Sequence, residues 1–188
     1  MPLKTTGSTL ALALGLSGCG TDHAATRPIE APPTVVTSPS RQELQESVRT
    51  SLARLDALQL FKVRDLVLKL PANVTDCYGV PCPDDTAGQS AYDAELVRQA
   101  ARLASLVQVA ERCNSGHCPV SQPQSAAEAV QALNALEVIR VSALVTVEPQ
   151  SQSACYNLPC PADLEAARLE NERRAQLAMT IADHAQGL

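Results

Sequence analysis

Six of the seven cysteines fall into pairs, Cys77/Cys82, Cys113/Cys118 and Cys155/Cys160, each with four residues between. A thiol can act as nucleophile, metal ligand or half of a disulfide, and spacing helps to separate these roles. Thiol-disulfide exchange sites usually leave two residues between their cysteines and set the reactive thiolate at a helix start. Zinc needs four ligands at tetrahedral distances, and Cys113, His117 and Cys118 supply three within one loop. An even number of cysteines in an exported chain reads as a disulfide framework. Bridges between the loops are one such framework. Three local bridges are expected here, because a repeated unit keeps its own staple most simply when both partners lie inside it. Closing so short a loop removes about 2 kcal/mol of denatured-state entropy, so the work of each bridge is local. Pro83, Pro119 and Pro161 follow the second cysteines, and proline suits the first helical position. Each staple is therefore expected to fix where the next helix starts.

The seventh cysteine sits in different company. Lys4 precedes an apolar run from Leu10 to Leu16, followed by Ser17, Gly18 and Cys19, which is the layout of a secretion signal. The run is shorter than the roughly 20 apolar residues a membrane span needs. Leu16-Ser17-Gly18-Cys19 resembles the lipobox of bacterial lipoproteins. The resemblance implies a signal peptide over 1–18, cleavage before Cys19, and acyl chains such as palmitate on its thiol and new amino terminus. Several chains together give effectively permanent anchoring. The implied location is the cell envelope, lipid-anchored beyond the cytoplasm, and Gly20 after the cysteine fits the outer membrane. Residues 19–40 then form a tether, with Pro28, Pro32, Pro33 and Pro39 among Thr, Ser and Ala. Twenty residues in extended polyproline geometry reach roughly 60 Å.

Loss of residues 1–18 with Lys4 takes the formal charge from −5 to −6. An acidic chain without a basic cluster is not built for nucleic acid. Residues 41–188 suit one domain. With no Trp, one Phe and three Tyr, its core must come from Leu, Val and Ala, which bury little area per residue.

An internal repeat runs at an offset of 78. Between 55–83 and 133–161 there are 12 identities in 29 positions, including both cysteines of a pair, three prolines and a tyrosine. Ser40 with Glu43 and Ser125 with Glu128 have capping-box spacing and predict helix starts, with Leu44, Val48, Leu52 and Leu55 as a buried stripe. The β-branched run 138–147 reads as a strand, and the repeat makes 60–70 its counterpart. Long helices are expected over about 84–112 and 162–185. The first should be central and most buried, with Leu96, Val97, Ala100, Leu103, Val107 and Ala110 inside and Arg98 and Arg102 on a narrow polar face. The second should bury Leu164, Ala167, Ala178 and Ile181, with Glu165/Arg168 and Glu170/Arg174 solvated. The expected fold is α+β and mostly helical. Two helix–strand–Cys loop–helix units, about 41–112 and 119–188, pack around a two-stranded antiparallel ribbon; an all-α bundle is the alternative.

There is no phosphate-binding glycine loop, no nucleophile elbow and no paired histidines at helical spacing. No catalytic residue, metal or cofactor is implied. The stapled loops Tyr78-Gly79-Val80-Pro81 and Tyr156-Asn157-Leu158-Pro159 each carry one aromatic. Tyr78 and Tyr156 are thus candidates for binding a protein partner, although the sequence favours rings packed as lids over the disulfide or strand end. The functional expectation is a non-enzymatic envelope lipoprotein with a protein-binding or structural domain. The alternative is a periplasmic thiol-disulfide or metal-handling protein.

Overall fold

Capping starts the two shorter helices where the spacing predicts. In the computed structural model, which describes residues 39–122, 125–149 and 158–188, Ser40 caps α1 (Arg41–Ala57) and Ser125 caps α3 (Ala126–Ala135). Each serine hydroxyl accepts the backbone N–H of the glutamate three residues on, and that carboxylate accepts the serine N–H in return. Two orphan donors are satisfied at each start. Both helices also end alike. Gln59 and Glu137 each adopt φ 52°, and their N–H groups donate to Asp56 O and Asn134 O at 3.0 and 3.1 Å. Such a left-handed residue stops a helix by closing its last carbonyls.

Each turn releases the chain into a strand. These are β1 (Phe61–Leu66) and β4 (Ile139–Leu144), which pair antiparallel. Both are shorter than the runs expected from composition. Phe61 lies opposite Leu144 and Leu66 opposite Ile139, so each end of β1 meets the repeat counterpart of its own other end. The ribbon thus has a pseudo-two-fold through its middle. Bulges respect it: Arg64 is the extra residue on β1 and Ser142, its counterpart, the extra residue on β4. Beyond the ladder, Val67 N–H donates to Val138 O and Val145 N–H to Leu60 O, at 3.0 and 2.9 Å.

The ribbon is packed mainly by the shorter helices, α3 on β4 and α1 on β1, while the long helices α2 (Thr86–Asn114) and α4 (Pro161–Ala185) back them, with α1 on α2, α3 on α4 and α2 against α4. A mostly helical α+β fold around a two-stranded antiparallel ribbon is the architecture. Its main core joins Leu55, Phe61, Leu103, Leu106, Val107, Leu133, Ile139 and Ile181 with a small-residue face of α4, Ala175, Ala178, Ala182 and Ala185. Phe61 is the largest fully buried side chain. Small residues let α4 approach its neighbours closely, which is how a chain poor in aromatics still fills its interior.

Two apolar positions depart from expectation. Val97 is exposed, because the buried line Leu96, Ala100, Leu103, Val107 and Ala110 turns it outward beside Arg98. Leu164 is exposed as well, since α4 buries nothing before Ala167. The halves also differ in content. The first has a second cluster, Leu44, Tyr92, Leu96 and Ala100, with Val48, Leu66 and Leu68 against it. The repeat counterparts of those last three, Ala126, Leu144 and Thr146, instead line an open apolar groove of about 430 Å3.

Candidate functional site

The first stapled loop is a hairpin, not an irregular turn. Strand β2 (Asp76–Cys77) pairs with β3 (Val80–Pro81), and Cys77–Cys82 closes them covalently with the Cα atoms 4.8 Å apart. Two residues make the reversal, Tyr78 at φ 59° and Gly79 at φ 85°. Two left-handed residues in a row match the right-handed twist of the flanking strands. Glycine supplies that conformation freely, whereas tyrosine pays a steric cost for it. The turn is further fixed by Asp76 Oδ1, which accepts the Gly79 N–H at 2.7 Å.

The base of the hairpin is bolted to α2. Asp85 caps that helix, accepting the Gly88 N–H on Oδ1 at 2.7 Å and the Thr75 N–H on Oδ2 at 2.9 Å. Those two bonds, Gly88 first, hold the Asp85 carboxyl below the usual carboxylate range. Gln89 Nε2 donates to Pro81 O, and Pro81 is fully buried. Position 88 admits only glycine without rearrangement, since a Cβ there would lie 2.4 Å from Asp85 Oδ2. At the tip the ring of Tyr78 is fully exposed, at 106% of its reference area, and Val80 is 47% exposed beside it. The expected lid over the disulfide is therefore not formed: the left-handed turn throws the side chain outward.

The other predicted site residues sit as follows. Cys113–Cys118 is the second local bridge, with the Cα atoms 4.7 Å apart. It closes the end of α2 and does not start a helix: Cys113 lies in the last turn, and residues 119–122 after it carry no regular structure. With the two sulfurs joined, they are not thiolates for a metal beside His117. Among the described residues no group of three His, Cys, Asp or Glu side chains could hold an ion. Cys160 is disulfide-bonded and N-caps α4, with Pro161 in the first turn as its type predicts. After Cys82, by contrast, Pro83 stays outside the helix and Asp85 takes the cap. Cys19, Cys155 and Tyr156 lie outside the described residues.

Sequence reasoning missed the arginines that join the halves. Arg102 on α2 donates to Leu136 O at 2.8 Å and Glu137 O at 3.4 Å, at the end of α3. Arg174 on α4 donates to Gln59 O and Val145 O, both at 3.0 Å. Each helix thus holds the left-handed turn of the opposite half. Arg174 is only 18% exposed, so the expected solvated face holds for Glu165/Arg168 and fails for Arg174. Its partner Glu170 is held down to about 2 by Arg173 and then Arg174. Glu95 is the other strongly perturbed carboxyl. It accepts both arms of Arg98 at 2.7 and 2.8 Å, the Lys69 N–H at 2.8 Å and Gln99 Nε2 at 3.2 Å. Arg98 foremost holds it at about 2, against a smaller opposing effect of burial. Carbonyl acceptors 29 or more residues away leave no local pattern, so no periodicity could have revealed these roles.

No family model, no curated protein and no solved structure matches the chain. No helix among the described residues is long and apolar enough to cross a membrane.

Proposed function

We propose that this protein is a lipid-anchored component of a bacterial envelope whose stapled hairpin presents Tyr78 to a protein partner. The observation that carries the reading is the tip itself: a fully exposed tyrosine, with Val80 beside it, on a turn closed by a disulfide and bolted to a helix. An aromatic held rigidly in advance loses little entropy on binding, which is why tyrosines recur in recognition surfaces. Tyr156 extends the proposal to the second repeat on the strength of the sequence match. The anchor rests on Leu16-Ser17-Gly18-Cys19, and Gly20 favours the outer membrane.

A photoreactive residue placed at position 78 in cells tests the binding reading. It is expected to give discrete adducts in intact envelopes, and a Tyr78→Ala/Tyr156→Ala chain should compete for them poorly. Equal competition by that double variant would remove the hairpins from the proposal. Labelling with an alkyne-bearing fatty acid tests the anchor. Label on the parent chain and none on Cys19→Ala is the expected result; label retained by Cys19→Ala refutes lipidation there.

A further inference from the structure

A cleft of about 430 Å3 opens on the ribbon, lined by Arg64, Val67, Glu137, Arg140 and Val141 among others. Its charge is unusual for a chain whose formal net charge is −5. Arg64 is exposed and forms no ion pair among the described residues. Arg140 has only a distant partner, Asp65, at 3.7 Å. The acid within the cleft, Glu137, is already paired with Lys69. Exposed Lys62 adds a further cation on the same strand. Among the described residues, the site therefore carries positive charge that is only partly answered.

The backbone explains why the two guanidinium-bearing residues line one cleft. Arg64 is the bulged residue of β1, and a bulge re-aims the side chain it carries, a device common beside binding sites. The facing strand is held firm: Asn134 accepts the Val141 N–H at 2.7 Å and donates to Val141 O at 3.0 Å. Val67 and Val141 supply an apolar floor, against which an arginine–anion pair is less screened than in open water. Arginine forks match the geometry of carboxylate and phosphate oxygens. We infer that this cleft binds an oxyanion, a carboxylate or phosphate group of a small ligand, between Arg64 and Arg140.

Titration calorimetry of the detergent-solubilised full chain tests this, with sodium phosphate and disodium succinate as separate probes against sodium chloride at matched ionic strength. At least one probe should bind saturably at one site, and Arg64→Gln and Arg140→Gln should each weaken it about tenfold. Binding of phosphate alone assigns a phosphate-bearing ligand, and binding of succinate alone a carboxylate; either supports the site. Both arginines are exposed, so the variants should keep the parent circular dichroism spectrum and melting temperature. No saturable heat with either probe overturns the inference. So does an unchanged affinity in the folded Arg64→Gln/Arg140→Gln chain.

Discussion

Glu95→Gln should remove one defined part of the acid dependence of this domain's stability. The carboxyl is 10% exposed and is held from an ordinary 4.5 down to about 2, by Arg98 first and by the Lys69 and Gln99 donors after it. A group whose folded pKa is depressed stabilises the fold above its unfolded pKa, and that contribution disappears as pH falls through the folded value. Each tenfold change in proton affinity carries about 1.4 kcal/mol, so Glu95 contributes at most about 3 kcal/mol at neutral pH. Other carboxylates titrate over the same range, Glu170 among them, so the informative quantity is the gap between parent and variant at each pH. Urea unfolding followed by circular dichroism, with disulfides intact, should show a gap of about 2 to 3 kcal/mol near pH 7, shrinking below about 1 kcal/mol near pH 2. Most of that change should fall between pH 4.5 and 2. A gap that stays constant across that window would refute the assignment, because it would mean that Glu95 acts by packing and not by charge.

Three further outcomes follow from the geometry. Phe61→Ala empties the largest fully buried side-chain position and should cost about 3 to 5 kcal/mol in urea unfolding. Gly88→Ala drives a Cβ to 2.4 Å from Asp85 Oδ2 and should lower stability by about 1 to 2 kcal/mol through loss of the α2 cap; the same change at Gly187, where nothing lies within 4 Å, should be close to neutral in a melting comparison. Cys77→Ser/Cys82→Ser opens a bridge of sequence separation 5 and should cost about 2 kcal/mol, with faster proteolysis between Thr75 and Val80 as its local signature.

The elements legible in the sequence were those whose causes are local. Ser40/Glu43 and Ser125/Glu128 announce helix starts because a capping box needs only four residues. The repeat carried information that single segments lacked: 60–70 alone could be helical, its likeness to the β-branched 138–147 points to a strand, and the strand forms over Phe61–Leu66. The Cys77–Cys82 bridge followed from the same logic, and Cys113–Cys118, between the two units, from its equal spacing alone. What stayed hidden depends on distant partners or on phase. The bulges at Arg64 and Ser142 are properties of a pair of strands, not of either one. Val97 differs from Leu96 only by one step around a helix that is apolar on most sides. The outward tyrosine needed the φ values of the turn, which Tyr78-Gly79 does not declare as Asn-Gly would. For the candidate site, the residues were legible and their orientation was not.

The exchange of arginines between halves has a consequence for assembly. Arg102 clasps the turn at Glu137 and Arg174 clasps the turn at Gln59, and among the described residues each ribbon strand pairs with the other half, so each repeat completes the other. A backbone severed between Gln122 and Ser125 would leave two pieces that each lack the strand partner and arginine clasp of the other, so reunion is expected to restore a single molecule.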